Sequence, residues 1–128
     1  MKTLKQSCVI KASPHEIFEA LMDSKKHSEF TGGKVIISRK VNGKFSAYDD
    51  YATGKNLQII KDKKIVQTWK ASDWEPSENS KVVFDLKKVK NGTKIEFTQY
   101  NLPDRFYKGI SKGWKEHYWE KLKDYFKK

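Results

Sequence analysis

Few side chains in this sequence are spaced for covalent chemistry. Asp49 and Asp50 are adjacent, so on a strand they project to opposite faces and cannot work as an acid and base pair. His15, His27 and His117 are scattered and lack the spacing of a zinc site. Gly32-Gly33, Gly43 and Gly54 are isolated turn or bulge glycines, not a phosphate-cradling loop. The single cysteine, Cys8, falls in an alternating segment and is expected to be a small core residue in a reducing, cytoplasmic setting. The expectation is therefore no catalytic residue, no metal and no cofactor.

What remains is binding. From Asp104 to Lys128 the apolar residues recur at helical spacing, with Ile110, Trp114, Tyr118 and Tyr125 on one broad face. A long aromatic helix of this kind must cover an apolar surface, and if that surface is curved it encloses a pocket. Trp114, His117 and Tyr118 are its candidate ligand contacts. A straight helical wheel sets Lys121 between Ile110, Trp114 and Tyr125, where its ammonium either snorkels to water or meets a ligand. Gly109 and Gly113 are expected to let the helix approach its partner closely. Phe45, Trp69, Phe84 and Phe97 supply the facing aromatic surface, although alternation leaves open which side of the sheet each one takes. Trp74 stands in the polar turn Asp73-Trp74-Glu75-Pro76; exposed, it would anchor a protein partner, and otherwise it folds back over the nearest strand.

The elements that must position these groups are legible. Thr3 to Lys11 alternates as a strand. Ser13-Pro14 with Glu16 is a capping box, and a short helix follows; a second runs from Asp23-Ser24 to Gly32-Gly33. Six strands are expected near 35–38, 44–48, 51–60, 65–71, 81–89 and 93–100, with two-residue turns at Asn42-Gly43 and Asn91-Gly92. The order predicts an α+β helix-grip fold: a curved antiparallel sheet of about seven strands, two short helices and a long C-terminal helix packed across it. No composition break or repeat divides residues 1–128, which read as one domain.

The charge of +11 invites a nucleic-acid reading. The kind of base argues against it, since all but Arg39 and Arg105 of the 27 basic residues are lysines, mixed with 16 acids along the whole chain. No apolar run exceeds three residues, as in Cys8-Val9-Ile10, so no membrane span is expected.

Several stretches carry a family resemblance: Ser13-Pro14 with Glu16, Phe30-Thr31, Gly43-Lys44-Phe45, Gly54-Lys55-Asn56-Leu57, Lys64 to Lys70, and Gly113-Trp114 followed by Tyr118-Trp119 and Leu122. In this order the chain resembles, from Leu4 to Phe126, the activator of heat-shock-protein ATPase homologue (AHSA) branch of the START/Bet v 1-like (SRPBCC) superfamily. The resemblance implies the helix-grip fold and a non-enzymatic binding role. The ligand is a small apolar molecule held between sheet and helix, the partner a 90-kDa-class heat-shock chaperone, or both. It also implies an alternative, a cyclase- or hydrolase-like enzyme acting on an aromatic substrate in the same cavity, with His117 as participant. The eukaryotic activators carry a separate N-terminal domain that these 128 residues lack, which favours binding over full ATPase activation by this stretch alone.

Overall fold

The computed structural model of the protein describes residues 1–127; Lys128, the last residue of the expected helix, lies outside them. Alternation at the N-terminus produces β1 (Lys2–Ile10), which turns Leu4 and Ile10 into the core and Lys5, Ser7 and Val9 to solvent. The capping box forms as expected. Ser13 Oγ accepts from the Glu16 amide at 3.1 Å and the Glu16 carboxylate accepts from the Ser13 amide at 2.9 Å, which starts α1 (Pro14–Met22). Asp23 then serves two helices. Its amide closes α1 on Glu19, and its carboxylate caps α2 (Ser24–Thr31), which ends at Gly32 in the left-handed region, φ +79°.

Six further strands follow: β2 (Ile36–Ile37), β3 (Lys44–Ala47), β4 (Ala52–Ile60), β5 (Lys64–Ala71), β6 (Ser80–Val89) and β7 (Gly92–Leu102). Together with β1 they make one seven-stranded antiparallel sheet in the order β1-β7-β6-β5-β4-β3-β2. Register assigns the faces that alternation left open. Ile65, Phe84, Phe97 and Gln6 lie opposite one another across four strands, and Gln67, Val82, Gln99 and Leu4 form the next row. Both rows point to the concave side, beneath the C-terminal helix. Phe45 joins them from β3, laid over Gly54, where a Cβ would sit 1.9 Å from the Thr68 carbonyl oxygen.

Two turns differ from expectation. Val89 pairs with Gly92, so the β6-β7 turn is Lys90-Asn91, and Gly92 is already in the strand. Its φ of +148° and the Ile10 carbonyl oxygen, 2.1 Å from where a Cβ would stand, explain the glycine. The β2-β3 connection is a longer loop, because the buried Asn56 side chain donates to the carbonyls of Ser38 (2.7 Å) and Lys40 (3.0 Å) and holds it open. Gln67 secures Asn56 in turn, donating to its Oδ1 at 3.0 Å.

The C-terminal helix is long but not uniform. A 3₁₀ turn (Asp104–Phe106) leads into α3 (Tyr107–Trp114), one widened turn of π-helix (Lys115–Trp119), and α4 (Glu120–Tyr125). None of the described helices is long and apolar enough to cross a membrane.

Candidate functional site

The widened turn decides which side chains the helix buries. The Glu120 amide donates to the carbonyl of Lys115, five residues back, so one extra residue is wound into the helix and everything beyond is rotated by roughly 100° from a straight wheel. Leu122 takes the inward direction that the wheel assigned to Lys121 and is fully buried. Lys121 faces solvent, so it is no cavity residue. The same turn brings Tyr118 and Trp119 inward together.

Polar residues of the sheet fix these aromatics. The buried Trp114 indole donates to Gln99 Oε1 at 2.9 Å; Gln99 donates to Ser80 Oγ at 2.9 Å, and Ser80 Oγ to the Trp69 carbonyl at 2.7 Å. Trp119 donates to Gln6 Oε1 at 2.7 Å, while the Gln6 amide reaches the Ser111 carbonyl at 2.9 Å. Tyr118 O–H donates to His27 Nε2 at 2.8 Å, and His27 Nδ1–H donates to the Leu21 carbonyl at 2.9 Å. Burial holds the His27 pKa down at about 4, against a smaller opposing effect of the Leu21 bond, and burial pushes the Tyr118 phenol far above its ordinary range. Both groups are neutral at physiological pH.

Between this helix and β4-β5 lies a cleft of about 350 Å³, open to solvent on one side. Its floor is Ala52 and its helical wall carries Gly109, Ile110 and Gly113. The remaining wall is aromatic: Tyr51, Trp69, Trp114, Tyr118, Tyr48 and His117 follow one another, with successive ring centroids 6.3, 5.8, 4.7, 6.3 and 5.7 Å apart. Among the described residues lining it there is no Asp, Glu, Lys or Arg, in a chain with a net charge of +11.

Tyr48 closes one end. Its hydroxyl donates to the His117 carbonyl at 2.9 Å and burial pushes its pKa up to about 12. Tyr48, Asp49 and Asp50 all have left-handed backbones, φ +51°, +55° and +73°, and Ser46 Oγ donates to the Asp50 carboxylate across the turn. Such conformations are costly for residues with side chains and gather where geometry serves a site.

The sequence-predicted residues divide accordingly. Trp69, Trp114, His117 and Tyr118 meet at the cleft, His117 at its exposed mouth. Phe97 does not reach it, being packed on Trp114 at 4.4 Å and Trp119 at 5.3 Å between ring centroids. Phe45 and Phe84 instead border a separate space of about 10 Å³ beside His27 and Gln67, room for about one water. Trp74 is no exposed anchor: it is buried, stacked on Phe106 at 5.6 Å and edge-on to Trp69 at 5.5 Å. The expected role of the glycines is also reversed. A Cβ at Gly109 would meet nothing within 4 Å, and one at Gly113 only His117 Cδ2 at 3.9 Å, so they widen the cleft instead of permitting close packing. Tyr48 and Tyr51 join the lining because the left-handed residues 48–50 turn the chain there, a turn that no pattern of residue types marks. Cys8 is partly buried, and burial raises its thiol pKa to about 11, which keeps it an inert thiol.

A family model described as activator of Hsp90 ATPase homolog 1-like protein matches residues 11–127. The activator of 90 kDa heat shock protein ATPase homolog of Dictyostelium discoideum is 28% identical over 126 residues, 98% of this chain and 33% of that protein. The human activator homolog 1 is 21% identical over 124 residues, 97% of this chain and 36% of that protein. The chain thus spans about a third of the length of the curated relatives it matches. Among solved structures, an HSP90 activator from Plasmodium falciparum superposes with a TM-score of 0.89 at 25% identity, over 97% of this chain and 95% of that one.

Proposed function

The chain belongs to the activator of Hsp90 ATPase homolog 1-like family, and within that family we propose that it is a non-enzymatic binding module, one domain over residues 1–128, whose cleft holds a small apolar ligand. The observation that carries this reading is the uncharged aromatic wall around about 350 Å³, a size and lining typical of small-molecule sites. The supporting detail is the direction of the polar tips. The Trp114 indole N–H, the Tyr118 hydroxyl and the Tyr48 hydroxyl are all committed to protein acceptors, so the cleft offers ring surface in place of reactive groups. Of the described residues that line the cleft, only His117 could transfer a proton, with no lining acid, thiol or second free base to complete a pair.

The test is saturable binding of the neutral fluorescent probe N-phenyl-1-naphthylamine. The expected result is one probe per chain, lost in Gly109→Leu, which adds bulk at a cleft-lining position where a Cβ meets nothing within 4 Å. Absence of saturable binding overturns the reading.

A second reading stands beside it, favoured by the names of the relatives: interaction with a 90-kDa-class heat-shock chaperone, in the cytoplasm. Calorimetric titration of the chaperone with this chain is expected to show binding at micromolar concentration, and no heat at that concentration removes it.

A further inference from the structure

The cleft combines three features that together narrow its occupant. The first is the continuity of the ring wall. The near-perpendicular contacts of Tyr51 with Trp69 (72°), and of Tyr48 with His117 (70°) and Tyr118 (67°), turn successive ring planes around the space like the sides of a box. With the polar tips of Trp114, Tyr118 and Tyr48 drawn into the protein, these three rings offer the cleft no free hydrogen-bonding group, only aromatic carbon.

The second is the charge at the mouth. In a chain with 27 basic and 16 acidic residues, the two loops flanking Tyr51 run the other way. One is the left-handed turn with Asp49 and Asp50, both exposed. The other begins where the Ser72 amide donates to the Tyr51 carbonyl at 2.7 Å and carries Asp73, whose charge adds to the larger effect of burial in raising the Tyr51 phenol pKa. Two bases stand on that side: Arg105 makes a two-bond pair with Glu78, both distances 2.6 Å, and Lys70 donates to the Pro76 carbonyl at 2.8 Å.

The third is the backbone along the helical wall. With bare Cα atoms at Gly109 and Gly113, a bulky rounded group can sit against α3.

We propose that the cleft between Tyr51, Trp69, Trp114 and Tyr48 is an aromatic cage for a small free quaternary or tertiary ammonium compound. This rests on the reading of the cleft as a ligand site and narrows the apolar ligand to one whose alkyl-covered surface surrounds a positive charge. A cation held by ring quadrupoles needs no buried counter-charge, and exposed carboxylates at the mouth attract it from solution. A carboxylate or phosphate ligand would find no basic partner in the wall and acids at the entrance. A phospholipid headgroup carries its phosphate next to the ammonium, so the acidic mouth disfavours that source and favours a free molecule.

The experiment compares choline with its neutral carbon isostere 3,3-dimethylbutan-1-ol, followed through the indole N–H resonances of the intact protein. Choline is expected to bind about tenfold more tightly than the isostere, the size of one or two ring-cation contacts. Tyr51→Leu is expected to weaken choline more than the isostere, lowering the preference several-fold, and Asp73→Asn to weaken choline alone. Equal affinities for the two compounds overturn the cation assignment but leave the cleft a ligand site, as judged by the neutral naphthylamine probe. Shifts with neither compound and no probe binding overturn both readings. Co-sedimentation with phosphatidylcholine vesicles without affinity for free choline overturns the free-ligand source.

Discussion

The hydroxyl of Tyr48 and the backbone carbonyl of His117, 2.9 Å apart, join the left-handed turn after β3 to the widened turn of the C-terminal helix. Two locally unfavourable conformations meet at this bond, and both border the cleft. The helix is held at its site end by a tyrosine from the turn after β3, to which His117 gives its carbonyl as acceptor while its exposed imidazole stands edge-on to the Tyr48 ring at the mouth.

Tyr48→Phe is expected to cost about 1 kcal/mol in urea unfolding, the net worth of one hydrogen bond, and to loosen probe binding. His117→Ala, which keeps the accepting carbonyl, is expected to leave stability within about 0.5 kcal/mol of wild type. Equal losses in the two variants would show that the bond does not hold the turn.

Gly109→Ala is expected to raise stability by about 0.5–1 kcal/mol, since an alanine suits a helix better and its Cβ meets nothing within 4 Å. The thermal midpoint measures it. A fall would mean that the helix lies closer to the sheet than the cleft geometry requires.

His27 makes stability depend on pH. Its folded-state pKa of about 4 lies below the ordinary 6.5 because of burial, so the neutral form is favoured by folding. Its contribution is complete above about pH 6.5, falls as pH drops through that value, and is gone below about pH 4, for a total of order 3 kcal/mol. His27→Gln is expected to remove this slope from the difference between urea curves taken at pH 7 and pH 4.5.

Two tryptophans should respond differently to replacement by phenylalanine. Trp114→Phe strands the buried Gln99 carbonyl and should cost at least about 2 kcal/mol. Trp74 has a buried indole N–H with no partner among the described residues, so Trp74→Phe removes an unsatisfied donor, keeps the stack on Phe106 and should cost less than about 1 kcal/mol. Urea unfolding of the pair checks the order.

The large elements were legible because their signals are local and periodic. Strand alternation, the Ser13-Glu16 capping box and the aromatic stripe each specify one backbone geometry, and their order gave the helix-grip arrangement. The site was only partly legible. A straight wheel holds Trp114 and Tyr118 in the right direction because they precede or fall within the widened turn, and fails at Lys121 because that residue follows it. Gly109 and Gly113 look alike whether they pack or line a space, and only the sheet's distance from them decides. His27 gave no sign of its role, since its partners Leu21 and Tyr118 are set by two helices meeting. Trp74 lies in a polar turn that nevertheless folds it onto Trp69 and Phe106.

The most direct test of the ligand site is native mass spectrometry of the protein purified from its own cells, alongside Gly109→Leu. A discrete added mass on the wild type, lost on denaturation and missing from the variant, is the predicted result. Bare mass for both proteins under conditions that preserve weak complexes, or the same adduct on both, would contradict a ligand held in the cleft.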